Sequence, residues 1–424
     1  MDSSVLILIA ICALTLVAAY KILPSDKYKK IYILLLFAAL LLRVATIHCL
    51  YRSGPDTFGT DGLLYHKEGI LVSRQLDEGV PFYAIRYTYT WYTAFVGLIY
   101  HIFGVNRYIV SYINIALTLF SALLLLNIAR NLKYKYSNSI FISLAFLFFP
   151  NMILWTSDSR KEAMLIFISF LCWHQVQCFI HRVVSGKYTK IAEYIRILLI
   201  CVLIWLGTLV RIYMFLPLAV GILVSQFLFY MKNRRSIILL FIAAIIISSV
   251  IISIATVYPL MEDYHAIMFP DETNDLREDI GNKWEVLKLL ASGRNVLVST
   301  VNYILLPHPG NVNIADIRYN KPLQLVVSTD MIVWYFCLLS MLSGVYSAIR
   351  KKNSYLLGIM AFLASYILIN ALVVEDVPDT IYRYRSVIVG TSLLLIDWGT
   401  INSVAKRCER FLRSKRVGSN LHTS

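Results

Sequence analysis

Apolar residues in this chain come in continuous blocks of roughly 17–25, divided by short charged stretches, and no feature limits its fold more. A helix of that length crosses the hydrocarbon core of a bilayer with its backbone hydrogen bonds satisfied inside the segment. Hydrophobic residues make up 58% of the 424 and charged ones only 15%, too few charges for a soluble domain of this length. The reading is an all-α polytopic integral membrane protein, one transmembrane domain over residues 1–424 with about eleven transmembrane helices. The expected spans cover 5–22, 31–50, 108–129, 140–156, 163–180, 197–210, 215–231, 237–257, 325–348, 355–374 and 386–401. The first has no basic leader and no small-residue cleavage site, and is read as a retained span.

Charge orients the spans. The formal net charge is +15, and alternate loops carry the Lys/Arg clusters: Lys27, Lys29 and Lys30; Arg130, Lys133 and Lys135; Arg182, Lys187 and Lys190; Lys232, Arg234 and Arg235; Arg350, Lys351 and Lys352; and the tail from Lys406. The positive-inside rule puts these in the cytoplasm, with the N-terminus outside and the C-terminus inside. A nucleic-acid partner would need a compact basic face on a matching fold, and none is visible. The seven cysteines fit neither a disulfide framework nor a zinc site. Arg43, inside the second span, is read as snorkelling or paired to an acid.

The outer side then collects the chemistry. Residues 51–106 form an outer catalytic loop with interfacial helices, and 258–323 a second large outer loop. The first holds Asp56 and Asp61; Asp61 and Tyr65 are four apart and so share one helical face, with His66 beside them. Trp91 belongs to an aromatic run over 86–92 suited either to the membrane interface or to sugar stacking. A helix over 61–76 and a short apolar segment over 94–103, too short to cross, are expected along the interface. Other outer ends add Asp158, Arg160, Lys161 and Glu162, then Arg211, then Arg383 and Arg385. Outer loops should be poor in cations, yet five sit here. Such a group suits a lipid-linked phosphate, and a carboxylate opposite it suits a general base.

Together these describe glycosyl transfer from a polyprenyl-phosphate sugar donor to a glycan, lipid or protein acceptor, with membrane lipids as surroundings. Asp61, or else Asp56, takes the acceptor proton; Arg160, Lys161, Arg211, Arg383 and Arg385 hold the donor phosphate. A divalent metal, Mg or Mn, is the one cofactor considered. Tyr65, His66, Trp91, Asp158 and Glu162 line the substrate. No Gly-rich nucleotide loop is present.

Four stretches carry a resemblance. They are the outer Asp61 with Tyr65–His66 ahead of an amphipathic helix; the short apolar segment ending in Phe103–Gly104; FPNMILWTSDSRKEAM around Trp155–Glu162; and YRYRSVIVGTSLLLIDWG from Tyr382. In that order they resemble bacterial members of the GT-C superfamily of polytopic glycosyltransferases, the group of protein mannosyltransferases and aminoarabinose transferases. The resemblance implies a lipid-phosphate sugar donor, extracytoplasmic chemistry and inversion at the anomeric carbon. It matches Asp61 to the outer-loop acid, Arg160, Lys161 and Glu162 to the fourth span's end, and Arg383 and Arg385 to the late basic pair. Two departures stand out: an extra span stands ahead of the one that leads into the acidic loop, and Gly62 follows Asp61 where many members carry a second acid. A polymerase or ligase using lipid-diphosphate glycans is the rival enzyme. A transporter or flippase is the non-enzyme rival, and would show interrupted helices and mid-membrane charges.

Overall fold

The structure is a computed structural model and describes residues 3–23, 27–52, 60–85, 91–186, 190–233, 296–308, 321–373, 378–396 and Trp398. Every regular element among them is helical. Among the described residues eight helices are long and apolar enough to cross a membrane, or nine if one bent pair counts as a single span. They are α1 (Ser3–Ile22), α2 (Lys27–Arg52), α5 (Arg107–Asn131), α8 (Glu162–Ser185), α9 (Lys190–Val210), α10 (Ile212–Asn233), α12 (Lys321–Arg350) and α13 (Ser354–Val373). The bent pair is α6 (Tyr136–Phe148) with α7 (Pro150–Ser157). The chain is thus a multi-pass membrane protein. The expected span over 237–257 lies outside the described residues.

Shorter helices complete the bundle: α3 (Thr60–Asp77), α4 (Trp91–Phe103), α11 (Val296–Leu305) and α14 (Pro378–Leu394). The last differs from expectation. It begins at Pro378 rather than 386, so Arg383 and Arg385 lie on a helix and not in the loop before it.

Helix α5 is the central post, packed against α1, α2, α6 and α8. Its inward side carries Ser111, Asn114, Thr118 and Ser121, all buried, at the three-to-four-residue spacing of one helical face. Thr118 and Ser121 return their hydroxyls to the carbonyls of Asn114 and Leu117 at 2.8 and 2.7 Å, so neither group is stranded in an apolar interior.

The fourth span, expected over 140–156, bends by 56° between α6 and α7. Pro150 supplies the cause, since it has no N–H and its ring clashes with the preceding turn. In a continuous helix Leu147 C=O would accept from Asn151 N–H. Here Arg43 Nη2 donates to Leu147 O at 2.8 Å, and Asn151 N donates to Asp330 Oδ1 at 3.0 Å. A buried cation therefore faces the C-terminal end of α6, and a buried carboxylate the N-terminal end of α7, as the helix dipoles favour. Arg43 is buried rather than snorkelling, and among the described residues it meets backbone carbonyls and no acid.

Helices α3 and α4 run side by side in the same direction, with Tyr65 against Tyr92 and Asp77 against His101. Two glycines set their closeness. A Cβ on Gly69 would stand 2.5 Å from Val96 Cγ1, and one on Gly97 2.2 Å from Val72 Cγ1. Gly97→Ala is expected to lower the thermal midpoint in detergent by overpacking, about 1–3 kcal/mol, with Val72→Ala restoring most of it. An equal loss with and without Val72→Ala would place the fault elsewhere.

The contacts sort the helix ends into two groups. The ends of α2, α7 and α9 meet the starts of α3, α5, α8 and α14 at one end of the bundle. At the other, Arg130 donates to Ile22 O at 2.8 Å and Tyr134 to Leu394 O at 2.6 Å.

Candidate active site

Asp61 lies in the first turn of α3, whose N-terminal end favours a negative charge. Its Oδ2 accepts from Arg383 Nη1 at 2.5 Å. The Nε edge of the same guanidinium donates to Glu162 Oε1 at 2.6 Å, and Arg211 Nη2 approaches that oxygen at 3.5 Å. Glu162 opens α8 and is fully buried; its Oε2 has no hydrogen-bond partner among the described residues. Arg211 follows α9 and rests over the ring of Tyr384, 4.1 Å from its centroid. Lys161 Nζ lies 5.7 Å from the centre of the Tyr65 ring. Burial first, then Arg211 and Arg383, hold Lys161 well below the ordinary lysine value.

A second knot adjoins the first. Asp158 Oδ1 accepts from Tyr51 Oη at 2.8 Å, Arg107 Nη2 at 3.0 Å and Ser159 N at 2.7 Å, while Oδ2 accepts from Arg160 Nε at 3.1 Å. Burial raises this carboxyl, but Arg160 and Arg107 overcome that and keep it below its ordinary value. The turn that carries it is fixed from α5: Asn114 Nδ2 donates to the carbonyls of Asp158 and Arg160, each at 2.6 Å. Tyr92 Oη adds a bond to Arg160 O at 2.9 Å. Gly62 explains the departure noted beside Asp61. A Cβ there would be 2.4 Å from Asp158 Oδ2 and 2.8 Å from Arg107 Nη2, so Asp158 fills the space a second acid on α3 would need.

The structure thus brings Asp61, Glu162, Lys161, Arg211 and Arg383 together, joins Asp158 and Arg160 to them through Gly62, and packs Tyr65 beneath. Others stand apart. Arg385 is two residues from Arg383 on a helix and so leaves by another face. It donates to Tyr303 O at 3.0 Å and to Leu306 O, closing the end of α11 rather than facing Asp61. His66 Nδ1 is 2.7 Å from Tyr100 Oη, and burial together with Arg107 holds its imidazole below the usual value. Trp91 starts α4, half-buried against the core. Asp56 lies outside the described residues.

Sequence reasoning missed Arg107, Tyr51 and Asn114. Arg107 was open to the same test as the others, being a cation on an outer span end. Asn114 had a signal in its spacing with Ser111 and Thr118. Tyr51 had none.

A divalent cation needs several carboxylates turned to one point, and each described acid of this site is already paired with arginine. Asp61 and Glu162 share Arg383, Asp158 serves two arginines, and no group of three His, Cys, Asp or Glu side chains among the described residues comes within reach of one ion. This donor set does not fit a metal, and no step below is routed through one.

No protein-family model and no curated protein matches the sequence. Among solved structures, the chain is similar to the archaeal oligosaccharyltransferase AglB from Archaeoglobus fulgidus, in complex with an inhibitory peptide and a dolichol-phosphate. Identity is 12% and the TM-score 0.49, over 92% of this chain and 52% of that one. The chain spans about half the length of that structure, and a likeness at this level supports no statement about activity.

Proposed function

We propose that this protein is a glycosyltransferase of the GT-C type, moving a sugar from a polyprenyl-phosphate donor to an acceptor hydroxyl at the outer face of the bacterial cytoplasmic membrane. One observation carries the reading: among the described residues, buried and half-buried cations outnumber the acids around an accessible carboxylate. Four arginines and Lys161 stand against Asp61, Asp158 and Glu162, and the arginines alone outnumber the acids. Cations gathered at low exposure to water favour an anionic ligand, since an added negative charge offsets their mutual repulsion and their desolvation. A phosphodiester at the membrane surface supplies that charge, and Arg383, Arg211 and Lys161 are the groups to receive it. Asp61 is the exposed acid of the set, its side chain 25% accessible against 0% for Glu162. It takes the acceptor's proton as the acceptor oxygen attacks the anomeric carbon, and the arginines stabilise the leaving phosphate.

The bent span with buried Arg43 and Asp330 is what a transporter reading expects. Both side chains, however, are used in capping the break between α6 and α7. The deciding assay presents purified protein in detergent with a panel of polyprenyl-phosphate sugars and, separately, lipid-diphosphate oligosaccharides. Consumption of a monophosphate donor supports the transferase. Joining of diphosphate-linked glycans alone would put a polymerase in its place, and neither activity with substrate flux in vesicles would favour transport.

Lys161 gives a pH test. An anion favours its protonated form, so donor affinity is greatest when Lys161 is charged and falls as pH rises through the free-site value, which lies below the ordinary ~10.4. Titration calorimetry of decaprenyl phosphate in buffers of different ionisation enthalpy should show proton uptake on binding, abolished in Lys161→Met. Equal uptake in that variant would assign the proton to another group.

A further inference from the structure

Arg383 holds two acids with two different edges, and the two contacts are unequal. Its Nε faces Glu162, which is 0% exposed and also approached by Arg211. Its Nη1 faces Asp61, which is 25% exposed and, among the described residues, ion-paired to Arg383 alone. Breaking the inner contact strands a buried carboxylate and is costly, whereas an ion pair open to water is cheap to exchange. In this state the carboxylate best placed to act as base is tied up, and so is a cation best placed to hold phosphate.

Building on the transferase reading, we infer that the donor phosphate displaces Asp61 from Arg383, so that donor binding itself frees the base. The guanidinium keeps its Nε edge on Glu162 and turns its Nη edge from one anion to the other. Charge is conserved at each stage. Before binding, Arg383 is matched by Asp61; after binding, by the phosphate oxygen, and Asp61 is left ionised and free to accept the acceptor's proton. Once protonated, Asp61 no longer competes for Arg383, which stays with the departing phosphate until that leaves. The device withholds the base until a donor is in place, and it follows from Arg383 standing between two carboxylates of unequal exposure.

The test is the affinity of decaprenyl monophosphate for the full-length protein in detergent, compared across wild type, Asp61→Asn, Arg383→Gln and the double variant, with thermal midpoints alongside. Asp61→Asn removes the competitor and should bind the phosphate about tenfold or more tightly, since a charge-assisted hydrogen bond no longer has to be given up. Arg383→Gln should bind it more weakly, and adding Asp61→Asn to Arg383→Gln should bring no gain. A gain that persists without Arg383 would show simple repulsion between Asp61 and the ligand and overturn the exchange. Weaker binding in Asp61→Asn would overturn it as well and point to a cation held on Asp61. A wild type that binds no polyprenyl phosphate would fail the transferase reading and the exchange with it. Should the variants misfold, carbodiimide footprinting of the wild type decides: Asp61 should become more reactive on addition of decaprenyl phosphate, and protection or no change would sink the idea.

Discussion

Asp61→Asn is expected to slow sugar transfer about a hundred- to ten-thousand-fold while leaving the fold intact, the range general base catalysis contributes. The substitution keeps the shape of the side chain and its place in the first turn of α3. It removes the one property the reaction needs, a lone pair basic enough to take a hydroxyl proton. The fold should not suffer, because Arg383 remains held by Glu162 at 2.6 Å and Asp61 is the more exposed of the two acids. The measurement is a single-turnover rate with a saturating donor, read beside the thermal midpoint. A large loss of rate at an unchanged midpoint supports Asp61 as the base. Near-normal rates would move that role to Glu162, whose Oε2 is unpaired among the described residues, or to Asp56.

The bundle was readable because hydropathy and loop charge are properties of whole segments. The helix expected over 61–76 is α3 (Thr60–Asp77), and the short segment over 94–103 is α4 (Trp91–Phe103). What went unread depends on single atoms. Pro150 was in plain sight within the fourth span, yet the bend has meaning only with Arg43 and Asp330, which lie 104 and 179 residues from the groups they cap. The site was legible as a list of outer charges, because membrane topology forces distant span ends to one depth. Which charges meet was not legible. Arg383 and Arg385 look equivalent in sequence, and only the extension of α14 back to Pro378 turns one toward Asp61 and the other toward α11. Likewise the glycine after Asp61 looked like a missing acid until Asp158 was found against it.

Asp158→Ala should behave in the opposite way to Asp61→Asn, costing stability first. Its carboxylate is 2% exposed and faces Arg107 and Arg160, so truncation leaves two buried or half-buried guanidinium groups without their counterion. Breaking a buried pair by removing one partner costs about 3–5 kcal/mol. It would also release Tyr51 Oη and Ser159 N, loosening the turn that delivers Lys161 and Glu162. Asp158→Asn retains the shape and should still destabilise, because the charge is what the arginines lack. Adding Arg107→Gln to Asp158→Asn should recover part of the loss, the mark of a coupled pair in a double-mutant cycle. The sign with pH follows from the lowered carboxyl. A group whose folded value lies below its unfolded value stabilises above the unfolded value and loses that contribution as pH falls through the folded one. Between about pH 5 and 8 the gap in thermal midpoint between wild type and Asp158→Ala should therefore stay constant, closing only in strong acid. A variant with the wild-type midpoint but no activity would instead make Asp158 a group that meets the substrate.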